Sequence, residues 1–155
     1  MQTLFTKLAG LGVLFLILLG CEKDTETVDN PVYNLRGNAN GEQEAPTRVN
    51  TAATGTLTGT YNKETNELNY TITWTGLTGG NPTMMHFHGP ADPGKAAGVR
   101  LGINGFPQTT SGTVSGTQVL DNTQEDELIN GLWYYNIHND TYKPGEIRGQ
   151  VVLTQ

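Results

Sequence analysis

The three histidines of this 155-residue chain fall in two places, His86-Phe87-His88 and Asn136-Ile137-His138. Imidazoles hold metals, move protons near neutral pH, or tie hydrogen-bond networks together. Two residues apart in an extended strand means one shared face, so His86 and His88 point together while Met85 and Phe87 point the other way. A third imidazole from another strand, His138, would complete a set able to hold zinc or copper, with Glu146 or Glu44 as a fourth ligand or as a support. The competing chemistry is structural. His86, His88, His138, Asn136, Glu44, Glu146 and Arg148 can form one hydrogen-bonded, charge-paired cluster, since a planar guanidinium satisfies several carboxylate and imidazole partners at once. Arg148 opposes a divalent cation on its own face, unless a carboxylate is interposed.

These residues need strands that bring distant segments together, and the composition supplies them. Twenty glycines and 23 threonines favour turns and pleated surfaces over long helices, and 35% apolar residues are enough for a core. From Val32 onward apolar and polar residues alternate between turn signals, which predicts strands near 33–39, 54–62, 67–75, 83–88, 97–103, 111–119, 132–138 and 146–153. The expected fold is an all-β antiparallel sandwich of about eight short strands, with one short helix before the penultimate strand. That helix is Asn122 to Asn130: Asn122 is placed to cap it, Glu125 to close a capping box, Glu125, Asp126 and Glu127 to complement its dipole, and Gly131 to stop it. Segments 54–62 and 67–75 make a hairpin that puts Leu68, Tyr70, Ile72 and Trp74 on the core face.

The last two strands carry the site. Pairing them around Asn139–Gly145 sets His138 against Glu146, Asn136 against Arg148 and Tyr134 against Gln150 on a polar side, with Ile137 against Ile147 and Trp133 against Val151 on an apolar side. A one-residue slip would mix the two sides, although a slip of two would preserve them.

The amino terminus is a separate matter. Met1–Lys7 carries one positive charge, and Leu8–Leu19 is an apolar run of small and branched residues. Twelve residues at about 1.5 Å each cover about 18 Å, short of the roughly 30 Å hydrocarbon core, so the run fits a secretory signal better than a permanent span. Leu18-Leu19-Gly20-Cys21 resembles the lipobox of bacterial lipoproteins, which implies cleavage before Cys21 and lipid attached to it. The organisation expected is a signal peptide over 1–20, an acidic flexible tether over 21–31 and one domain over 32–155. Lys23-Asp24 and Glu26 behind that cysteine resemble an export signal to the outer face of the outer membrane. The expected location is therefore lipid-anchored at the outer membrane, facing either the periplasm or the cell surface. A net charge of −6 without a basic stretch excludes a nucleic-acid partner.

His86-Phe87-His88-Gly89-Pro90-Ala91, then Gly98 and an apolar run, then Tyr135-Asn136-Ile137-His138 leading to Pro144-Gly145-Glu146-Ile147-Arg148-Gly149-Gln150, resemble the paired signatures of the CHRD domain family. The resemblance runs from about Tyr33 to Leu153 and takes in Glu44-Ala45-Pro46 and Leu77-Thr78-Gly79. It implies a β-sandwich and no established enzymatic activity. The expectation is a non-enzymatic binding or structural module of the cell envelope, joined to the bilayer through lipidated Cys21 and meeting a protein or glycan partner, with enzyme activity left open. The glycine- and proline-rich segment Gly89–Gly98 beside the histidine strand is the expected recognition edge. No cofactor is required by this reading; the alternative is a zinc or copper site made by His86, His88 and His138, open to redox or hydrolytic activity.

Overall fold

In a computed structural model, which describes residues 30–155, the chain forms nine strands and one helix. The strands are β1 (Val32–Asn40), β2 (Thr54–Asn62), β3 (Glu67–Thr75), β4 (Pro82–His88), β5 (Val99–Ile103), β6 (Gly112–Val119), β7 (Tyr134–Asn139), β8 (Ile147–Gln150) and β9 (Val152–Thr154), with α1 (Asn122–Ile129) before β7. All pairings are antiparallel, in the order β5-β4-β7-β8-β1-β2-β3-β6, and β9 adds to β1. Among the described residues no helix is long and apolar enough to cross a membrane. The signal, Cys21 and all but the last two residues of the tether expected from the sequence lie outside the described residues.

The sheet folds over on itself. Its halves β5-β4-β7-β8 and β1-β2-β3-β6 join where a single pair, Asn40 with Arg148, links β1 to β8. Tyr70 of β3 meets Phe87 of β4 edge-on at 5.1 Å between ring centroids, although the strands are far apart in the sheet order, so the halves face each other across one core. Leu35, Leu57, Leu68, Ile72, Trp74, Met85, Phe87, Trp133, Tyr135, Ile137, Ile147 and Val151 fill that core. Each such side chain fully removed from water contributes about 2 kcal/mol, and the alternation of the strands is what delivers them to one side. Tyr135 reaches across both halves: its hydroxyl donates to Gly37 O at 3.3 Å, and a Cβ on Gly149 would stand 2.8 Å from its ring.

The strands fall where the alternation puts them, with one difference at the end. The segment expected as a single strand over 146–153 is two, because the chain changes partners at Val151. Up to Gln150 it pairs with β7; Val151 buries its side chain and donates to Trp133 O; from Val152 the chain pairs with β1. The helix also starts differently. Asp121, not Asn122, is the N-cap, and it exchanges bonds with Gln124 rather than Glu125 in the capping box.

Candidate functional site

On β4, β7 and β8 the side chains turned away from the core form a polar grid. His86, Asn136 and Arg148 make one cross-strand row; His88, Tyr134 and Gln150 make the next; His138 lies beyond, opposite Met84. A bare outer face would be wet, but this one is not. Asn136, His138, Arg148, Tyr134 and His88 are all buried, Arg148 to 1% exposure, because loops roof them. Ala97 of the Gly89–Gly98 segment accepts from His88 Nδ1 at 3.0 Å and donates to Tyr134 Oη at 3.1 Å. Lys143 O accepts from His138 Nδ1 at 2.8 Å, and Pro144 O from Asn136 Nδ2 at 3.2 Å. Glu44, just after a 3-10 turn at Gly41–Gln43, closes the remaining side and is itself buried.

The tautomers follow from these partners. A carbonyl only accepts, so His88 and His138 both carry their proton on Nδ1 and keep a lone pair on Nε2. His138 Nε2 lies 3.2 Å from His86 Nδ1, so His86 is the donor between them. His88 Nε2 is buried with no partner among the described residues. One ring nitrogen from each of the three lies within 4.8 Å of the other two. Burial pushes all three imidazoles below their ordinary pKa, His138 down to about 4, so at neutral pH the cluster is uncharged and able to donate lone pairs. Carbonyls bonded to Nδ1 fix ring orientation in the way metal-ligating imidazoles require.

Arg148 sits beside this trio without joining it. Its Cζ lies 3.5 Å from the centroid of Tyr134, and the same ring stacks on His88 at 4.8 Å with 3° between planes. Among the described residues no carboxylate lies within ion-pair distance of it. Glu44 is its electrostatic partner at longer range: burial pushes the Glu44 carboxyl up to about 7, against the pull of Arg148. Glu44 is held in place against Gly145, whose φ is +138°, where an added Cβ would collide with Glu44 Oε1 and stand 2.8 Å from Asn136 Nδ2.

Glu146 does not join the cluster. The sequence reading sets it opposite His138, but the β7–β8 ladder ends at Ile137 with Ile147. The fully buried carboxylate instead accepts from Thr51 Oγ1, from the backbone N and Oγ1 of Thr78, from Gly79 N and from Asn139 Nδ2. Those bonds outweigh its burial and hold it below the usual carboxylate range. It is a rivet between loops. Glu127, expected as a dipole partner at the start of the helix, is likewise a joint: Arg100 grips it with two bonds of 2.7 and 2.8 Å while Trp133 Nε1 donates to it at 3.0 Å.

Tyr134 and Gln150 belong to the site and were not among the candidates, although the register that paired Asn136 with Arg148 had already put them in the next row. The chemistry on offer is therefore threefold: imidazole lone pairs for a metal, a guanidinium stacked on Tyr134 for an anion, and a carboxyl near neutrality beside it. A family model for the CHRD domain matches residues 35–151. No curated protein and no solved structure matches the chain.

Proposed function

The chain belongs to the CHRD domain family, and on that premise we propose that it is a lipid-anchored, extracytoplasmic module that binds a ligand without transforming it. The observation that carries this reading is the roofed polar face of β4, β7 and β8, where buried donors and acceptors remain without protein partners beside loops that a ligand can reach. Loops held over a rigid sheet are the usual place for recognition. The anchor is Cys21, behind Leu18-Leu19-Gly20, and the location is the outer membrane, with the domain facing the periplasm or the cell surface. The bilayer is one partner; a protein or glycan is the other.

Labelling cells with radioactive palmitate tests the anchor. The full chain should take up label and sediment with membranes, and Cys21→Ser should do neither. An unlabelled, soluble wild-type chain ends the anchored reading. Protease treatment of intact cells then separates surface from periplasm.

A second reading is favoured by the histidines. Three neutral imidazoles with converging nitrogens, two of them oriented by backbone carbonyls, suit zinc or copper better than they suit a network that leaves His88 Nε2 idle. His86 Nδ1 and His138 Nε2 would hold such a metal only with the proton between them lost and His86 protonated on Nε2. Elemental analysis of protein purified without chelators, compared with His86→Ala, decides it. Substoichiometric zinc and copper in both sinks this reading.

A further inference from the structure

A cleft of about 380 Å³ is lined by Glu44, Arg148 and Gln150 together with Pro46 and Pro93. Arg148 Nη1 and Nη2, Glu44 Oε1 and Gln150 Oε1 are all buried, and none has a hydrogen-bond partner among the described residues. Each atom has a reason to stay as it is. Stacking on Tyr134 fixes the plane of the guanidinium, so its two terminal nitrogens present a fork of fixed direction. Gln150 spends its Nε2 on Ala91 O and Gly131 O, at 3.0 and 2.9 Å, which pins the amide and leaves Oε1 as a fixed acceptor.

We propose that this cleft binds a carboxylate that carries a neighbouring hydroxyl, as in a hydroxy acid or an acidic sugar. A buried guanidinium with no carboxylate at ion-pair distance is costly, and a carboxylate answers its fork with two parallel bonds. The acceptor on Gln150 demands the opposite kind of group, a donor, and a hydroxyl beside the carboxylate supplies it. A phosphate dianion fits less well. The second arginine of the cleft, Arg48, is exposed and already tied to Glu42 at 3.4 Å, so that among the described residues lining the cleft Arg148 is the cation without an ion pair, with Glu44 close by. Glu44 tunes the site, since its ionised form repels a second carboxylate and its protonated form can donate to one. The assignment rests on the reading of the domain as a binding module, and it is independent of any metal at the histidines.

The test is calorimetric titration of the full chain in mild detergent with galacturonate, galactose and lactate, then with oligogalacturonate and a neutral oligosaccharide. Galacturonate should bind at least about tenfold more tightly than galactose, which lacks only the acid, and Arg148→Lys should lose about tenfold because a point charge cannot fork. Glu44→Gln should tighten galacturonate several-fold at pH 8, where the wild-type carboxylate repels it; this keeps the test alive if the arginine variant does not fold. Oligogalacturonate binding more tightly than lactate assigns the ligand to a glycan, and the reverse assigns it to a free acid; both support the site. Equal binding of galactose and galacturonate, a folded Arg148→Lys that binds as wild type, or weaker binding by Glu44→Gln overturns the inference. If only the neutral oligosaccharide binds, the carboxylate assignment falls while the binding module stands; if nothing binds, the carboxylate assignment falls and only a protein partner is left to the binding module.

Discussion

His86 Nδ1 stands 3.2 Å from His138 Nε2 across the β4–β7 ladder, and because His138 Nδ1 is spent on Lys143 O, the proton between the two rings belongs to His86. A metal held by both of these nitrogens would displace that proton, and protonation of His138 on Nε2 would set its new N–H against the one on His86 Nδ1. Both consequences are measurable.

If zinc or copper binds, it should raise the melting temperature of the chelator-treated protein. At about a hundredfold excess over Kd the gain is about 2.7 kcal/mol. His138→Ala should abolish the gain and His86→Ala should weaken it. An equal shift in a variant lacking all three imidazoles means that the ion acts elsewhere.

In the metal-free protein the histidines and Glu44 push the pH dependence of stability in opposite directions. The His138 pKa falls from 6.5 to about 4 on folding, so between these values the unfolded chain binds more protons and stability is lost as pH falls. The Glu44 pKa rises from 4.5 to about 7, so across nearly the same window the folded chain binds more protons and stability is lost as pH rises. These two effects oppose each other. Between pH 4.5 and 6.5 the urea midpoint of Glu44→Gln should climb more steeply than that of the wild type, and that of His138→Gln less steeply, since His86 and His88 still act with the same sign. Parallel profiles for the two variants would refute this balance.

Arg100→Ala should cost about 2–3 kcal/mol in chemical denaturation, because it leaves the Glu127 carboxylate, 11% exposed, with only the Trp133 indole. Arg100→Lys should recover part of the loss, since it restores charge without the fork. A cost below about 0.5 kcal/mol would make this an ordinary surface pair.

Gly145→Ala should destabilise by about 2 kcal/mol and also alter binding in the cleft, because the new methyl runs into Glu44 and Asn136 at an unfavourable φ. Gly94→Ala is the control: its φ is +78° with nothing within 4 Å of the added Cβ, so only the backbone part, about 1 kcal/mol, should remain. Equal effects would show that the collision is absorbed.

The sequence made the faces and the register of the site legible, and the reason is local. Alternation of period two assigns every residue inside a ladder to a side, so the shared face of Asn136 and Arg148 and the burial of Met85 and Phe87 follow from the pattern, while their direct pairing also depends on the length of the connector. Glu146 escaped because it stands one step past the ladder, where alternation no longer binds, and its main partners come from Thr51 and Thr78, far away in the chain. The burial of the polar face was also illegible, since the roof is made by loops whose paths leave no periodic trace. The helix cap slipped by one residue because Asp121 and Asn122 are both good caps, and the choice rests on which one exchanges bonds with the residue three positions on.

Strand β1 fixes the stand-off of the site. It begins at Val32, where the described chain emerges beside the final residues of the domain, and it ends at Asn40, paired with Arg148. Eight steps at about 3.3 Å put roughly 26 Å between these poles. A domain hung from Cys21 would therefore carry Arg148 and Glu44 about one strand length from the point where the tether joins it.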